Sequence, residues 1–122
     1  MSRSDIERAR DILDCIEAID RAETTVQRYP GDLDVGRVAL DAVQHRILMI
    51  AQTVKSLSLD MREDHPAVPW SEMACIPDLI DRQFDKLDSQ MMRATIGEPV
   101  KQLRAACRAI LRESVRVGED EP

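Results

Sequence analysis

Six apolar residues, Leu40, Val43, Ile47, Ile50, Val54 and Leu57, follow one another at alternating steps of three and four without a slip. That spacing keeps one side of an α-helix apolar for about five turns, whereas in a strand the same residues would fall on both faces. A seam of this kind suits helix-bundle packing and predicts a long central helix from about Asp34 to about Leu57. Around Ile47-Leu48-Met49-Ile50-Ala51 the helix is apolar on all sides, so it should be covered on several of them, by its own chain or by a second copy. The rest of the sequence agrees with a helical fold. Among 122 residues the only aromatics are Tyr29, Trp70 and Phe84, and there are four glycines, so the residues that build and punctuate sheets are scarce. The length supports one core without staples and leaves no room for two independent domains.

Flanking helices follow from capping and breaking signals. Ser4-Asp5-Ile6-Glu7 reads as a capping box, and Ile6, Ala9, Leu13, Ile16 and Ile19 continue from it as one stripe. Tyr29-Pro30-Gly31-Asp32 ends that helix in a turn. After the central helix, Ser58 to Arg62 adds a short turn, and two prolines make His65-Pro66-Ala67-Val68-Pro69-Trp70 an irregular, rigid corner. A short turn at Ser71 to Ala74 precedes a third helix, which starts at Pro77 and runs through Phe84. The last helical region spans about Ser89 to Arg116, and Pro99 is expected to kink or split it. The predicted architecture is an all-α, up-and-down bundle with a kinked C-terminal helix: one domain over 1–117 and a frayed acidic tail over 118–122.

A formal net charge of −6 argues against a general nucleic-acid coat, which needs a surplus of cations. Cys15, Cys75 and Cys107 form neither a CxxC pair nor a zinc pattern with histidine, so no disulfide framework, metal or cofactor is expected. Cys15 and Cys107 lie on apolar stripes, while Cys75 is the thiol expected at the surface. The N-terminus is polar where a signal peptide would be apolar, and no stretch is long and apolar enough to cross a bilayer. The expectation is a cytoplasmic protein with reduced thiols and no membrane role.

Between Asp41 and Asp88 the chain resembles the HepT-like family of the HEPN superfamily. The likeness rests on Asp41-Ala42-Val43, on Lys55-Ser56-Leu57-Ser58, and above all on His65-Pro66-Ala67-Val68-Pro69-Trp70 with Glu72, close to that family's HPEIPW corner. The resemblance implies a dimeric HEPN-type bundle. It also implies a toxin–antitoxin setting, in which the toxin cleaves RNA without metal and an MntA-like nucleotidyltransferase neutralises it. Family members carry an Arg, four to six intervening residues and then a His, usually with Asn after the Arg and Tyr two residues past the His. That frame falls on Pro77, Asp78, Arg82 and Phe84. Cleavage needs a group near neutral pKa to move a proton and a cation to hold the phosphate. Arg82 supplies charge but stays protonated, Pro77 brings neither charge nor a backbone donor, and Phe84 lacks the hydroxyl that would accept a nucleotidyl group. The family's acidic cleft positions fall on Leu48 and Gln52, and neither His45 nor His65 follows an Arg at the required spacing.

Lys101, Arg104, Arg108, Arg112 and Arg116 recur at steps of three and four, with Glu113 the only acid between Pro99 and Arg116. With Arg82, these residues are the candidates for phosphate or RNA contact; an ordinary solvated face is the other reading. Platforms for base stacking are absent. Asp78, Asp81, Asp85 and Asp88 share one side of the third helix, where Arg82 and Lys86 are natural ion-pair partners, so no metal site is assigned. Trp70 fills space between helices, and His65 belongs to the corner as a hydrogen-bonded element and not a base. The reading that follows is a HepT-like, non-catalytic, partner-binding helical dimer whose seam or core is the Leu40–Leu57 stripe. Its expected partners are a second copy, an MntA-like nucleotidyltransferase or a related HepT-like toxin. The alternative is an active metal-independent endoribonuclease toxin.

Overall fold

The computed structural model describes residues 3–75 and 89–120, with side chains for 4–75 and 97–115. Among the described residues there are helices and connecting turns, and no strand. Helix α1 spans Arg3–Arg28 and helix α2 Leu33–Lys55. Helix α3 spans Leu59–Asp64, residues 70–75 open α4, and α5 spans Ser89–Asp120. The fold is an all-α bundle in which α1 packs against both α2 and α5.

That double contact explains a difference from the sequence pattern. A single stripe on α1 was expected to run through Leu13, yet Ile12 is the fully buried residue and Leu13 lies at the edge of the core. A helix that faces two neighbours buries a wider arc than one stripe, so Ala9, Ile12, Cys15, Ile16 and Ile19 all enter the interior. They meet Val43, Ile47, Ile50 and Val54 from α2, and Val100, Leu103, Cys107 and Ile110 from α5. Leu57, Met61, Val68 and Met73 close the same core from the connecting segments.

The central-helix seam is therefore spent inside the monomer. Ile47 is 2% exposed, and Val43, Ile50, Val54 and Leu57 are likewise buried, with Leu40 packed at the margin. The all-round cover expected at Ile47–Ala51 is incomplete within one chain, because Met49 is 37% exposed.

Local chemistry sets the ends. α1 stops where Tyr29-Pro30-Gly31-Asp32 forms a turn closed by Asp32 N donating to the Tyr29 carbonyl at 3.2 Å. Gly31 takes φ +82°, the left-handed value that a type II turn requires at its third position. Asp32 then caps α2, its Oδ1 accepting from the backbone N–H of Asp34 at 3.0 Å and of Val35 at 3.1 Å.

Several expectations need correction. α1 is already helical at Arg3, so Ser4 lies in its first turn and not at the N-cap. The residues 71–74 expected as an isolated turn belong to α4, which starts at Trp70 because Met73 N donates to the Pro69 carbonyl at 3.0 Å. α5 is not split: Pro99 sits inside one helix of 32 residues. A proline deletes a single backbone bond, and the buried face from Val100 to Ile110, packed on α1, holds the helix beyond it.

Candidate functional site

The corner that carries the family likeness is fixed from both sides. Ser58 caps α3, its hydroxyl accepting from Met61 N at 3.2 Å, and the same hydroxyl donates to Asp5 Oδ2 at 2.7 Å. Ser58 N donates to Asp5 Oδ1 at 3.0 Å. Asp5 is 2% exposed and is the buried charged residue at the foot of α1. It thus ties the first turn of α1 to the start of α3, far apart in sequence.

At the other end of α3, His65 takes φ −127° and ψ 65°, off the helical values that Pro66 disfavours in its predecessor. Trp70 Nε1 donates to the carbonyls of Arg62 and His65, each at 3.0 Å, and its ring packs on the core. Val68 N donates to the His65 carbonyl at 3.2 Å, and the Val68 side chain is buried. His65 is thus part of the corner through its carbonyl, as a hydrogen-bonded element. Two prolines, one indole and a buried valine set the direction in which α4 leaves. The positions Pro77, Asp78, Arg82 and Phe84, and the quartet Asp78, Asp81, Asp85 and Asp88, lie outside the described residues.

Beside the corner is a cleft of about 170 Å³ lined by Asp5, Ser58, Asp60, Met61, Asp64, His65, Ile110 and Glu113. It joins one imidazole to four carboxyl-bearing residues, and none of its lining residues is a lysine or arginine. A phosphodiester entering it would meet negative charge without the cation that holds a phosphate in place. The other histidine, His45, is exposed on α2, as is Gln52; Leu48 is half-buried.

The basic residues of α5 do not act as one stripe. Arg104 is half-buried and donates from Nη2 to Asp20 Oδ2 at 2.6 Å, so its charge is engaged by α1. This pair lies in a cleft of about 380 Å³ that also includes Glu23, Lys101 and Gly97. Lys101, Arg108 and Arg112 are exposed, and the side chain of Arg116 is outside the described residues. A phosphate chain tracking this face would find three free-standing cations interrupted by an ion pair. Among the described residues no cluster of three or more His, Cys, Asp or Glu is arranged to hold a metal ion.

Cys15 and Cys107 are buried and Cys75 is exposed. Burial pushes the Cys107 thiol from 9.0 up to about 12, which keeps it protonated and unreactive. No helix among the described residues is long and apolar enough to cross a membrane.

Asp5 is the residue that sequence reasoning passed over. Its signal is present: Asp5, Ala9, Ile12, Ile16 and Ile19 follow steps of four and three, which place a carboxylate on the buried face of α1. A carboxylate there requires donors, and Ser58 supplies two.

Comparison with known proteins supplies the remaining information. Residues 12–110 match the family model described as Ribonuclease HepT-like. The chain is 28% identical over 102 residues to a Methanocaldococcus jannaschii protein named as a gamma-glutamylcyclotransferase and candidate RNase. That match covers 84% of this chain but 45% of the relative, so the chain spans less than half of that protein. It is 27% identical over 104 residues to a candidate ribonuclease HepT of Thermococcus cleftensis, covering 85% of this chain and 93% of the relative. No solved structure matches.

Proposed function

We propose that this chain, which belongs to the HepT-like ribonuclease family, works by binding protein partners and not by cutting RNA. One observation carries the reading: where the family sets its Arg, His and Tyr, this sequence has Pro77, Arg82 and Phe84. None of the three can exchange a proton at neutral pH, and metal-free cleavage of RNA needs a group that can, to activate the ribose hydroxyl and protonate the leaving oxygen. The surroundings of the histidines support it. His65 faces a cleft lined by acids, and His45 stands exposed on α2.

In this reading the protein is a cytoplasmic homodimer of a toxin–antitoxin type system whose ribonuclease site has degenerated. Its partners are an MntA-like nucleotidyltransferase or a catalytically intact HepT-like toxin, with which it forms an inert mixed dimer. With Phe84 in place of tyrosine, binding by the nucleotidyltransferase would leave no modification at that position.

Expression of the soluble chain alone in a bacterial host tests this. The expected result is unimpaired growth for both the natural chain and Arg82→Ala. Growth arrest that disappears in Arg82→Ala would favour the active endoribonuclease and overturn the binding reading.

A further inference from the structure

With Arg104 engaged by Asp20, the other cations of α5 form a pattern of their own. A helix turns by about 100° per residue, so Lys101, Arg108 and Arg112 lie within an arc of about 40°, on the side opposite the buried Leu103, Cys107 and Ile110. All three are exposed, and among the described residues none has an ion-pair partner. Ala105, also exposed, and Val115, 58% exposed, border the arc on its two sides.

A solvated helix face that stabilises itself sets acids three or four residues from its bases. Here Arg108 has Arg104 four residues before it and Arg112 four residues after it, and neither Arg108 nor Arg112 has an acid three or four residues away on either side. Like charges at that spacing destabilise a helix, so α5 carries a repulsion that its own neighbours do not relieve. An anionic partner relieves it.

The length and surroundings of the face fit a protein better than a nucleic acid. The three cations span about 16 Å along the axis, about three turns of helix. Without them the formal net charge of −6 becomes −9, so a long polyanion running past the face would meet a surface rich in acids. None of the five residues on the face is aromatic, so bases find nothing to stack on. A short helix ends within the face, and its apolar side chains have Ala105 and Val115 to rest on.

We propose that the outer face of α5 docks an acidic helix of a protein partner, whose carboxylates repeat at steps of four and seven opposite Arg112, Arg108 and Lys101. This rests on the reading that the chain works by binding protein, and it gives that partner a chemistry.

Fluorescence anisotropy with the full-length chain tests the proposal, using a labelled, capped peptide of alanine and glutamine that carries three glutamates at those steps. A peptide of the same composition with its glutamates spread around the helix controls for register, and a single-stranded RNA of similar length controls for polyanions. The register peptide is expected to bind saturably at low salt, at least threefold more tightly than the control peptide and more tightly than the RNA. Arg108→Glu changes an exposed side chain and should leave the helical circular dichroism spectrum intact while weakening binding at least tenfold. A peptide with lysine in place of the middle glutamate should restore it. No binding of the register peptide, equal binding of the two peptides, or binding that Arg108→Glu leaves unchanged would overturn the docking face. Tighter binding of the RNA without cleavage would overturn it in favour of a nucleic acid, whereas cleavage of that RNA would overturn the protein-binding reading beneath it. A change of oligomeric state in Arg108→Glu would give the face to a second copy instead.

Discussion

Replacing Asp5 with alanine removes a carboxylate that is almost fully buried and accepts two hydrogen bonds from Ser58, at 3.0 and 2.7 Å. Hydrogen bonds to a charged group contribute about 1.5–3 kcal/mol each, and the two are not additive because one residue makes both. The loss should be about 3 kcal/mol, since desolvation of the carboxylate, which opposes folding, disappears with it. For a domain of this size that lowers the thermal midpoint by about 12 °C. Asp5→Asn keeps an acceptor for Ser58 N while losing the charge, and should cost about half as much. Ser58→Ala removes the hydroxyl bond to Asp5 and the cap of α3, together about 2–3 kcal/mol. Urea unfolding of the two single variants and the double variant forms a cycle, and direct contact predicts a coupling of about 1–2 kcal/mol. A cost for Asp5→Ala below about 1 kcal/mol, or energies that simply add, would refute the idea that this pair anchors α3 and the corner behind it.

Leu103→Ala, at a fully buried position of α5, should lower stability by about 2–5 kcal/mol in urea unfolding; a loss under 1 kcal/mol would mean that α5 does not pack as described. Gly97→Ala should raise stability by about 0.5–1 kcal/mol, because this helical glycine has no atom within 4 Å of where a Cβ would sit; a lower melting point would contradict it. Cys107 gives a pH dependence. Its folded pKa of about 12 lies above the value of about 8.5–9 in the unfolded chain, so the unfolded state loses the proton first. Its contribution is therefore fully present below about pH 8.5 and falls by up to about 1.4 kcal/mol per pH unit between there and 12. Urea unfolding from pH 8 to 11 should show a shallower decline for Cys107→Ala than for the natural chain, and parallel declines would count against this assignment.

The parts of the fold legible in the sequence are those set by neighbours along the chain. The seam on α2, the Asp32 cap and the Tyr29–Asp32 turn depend on spacing and on local backbone chemistry, and each is where its residues require. The corner is legible for the same reason, since two prolines leave few conformations open. What depends on distant packing is harder to read. The burial of Ile12 in place of Leu13 follows from α1 touching two helices at once, and the passage of α5 through Pro99 follows from the face that Val100 to Ile110 presents to α1. The engagement of Arg104 by Asp20 joins residues 84 positions apart, and no local pattern announces it. The candidate site divides in the same way. The substitutions at Pro77, Arg82 and Phe84 are plain in the sequence, whereas the acidic lining around His65 emerges only when α1, α3 and α5 come together.

Incubation of the purified protein with mixed RNA is the first test of the proposal that the chain binds without cutting. The assay runs with and without chelator, beside Arg82→Ala and a catalytically intact HepT-like enzyme as control. A chain that binds without cutting leaves the RNA intact while the control enzyme cleaves it. Chelator-resistant cleavage by the natural chain, abolished in Arg82→Ala, would contradict it.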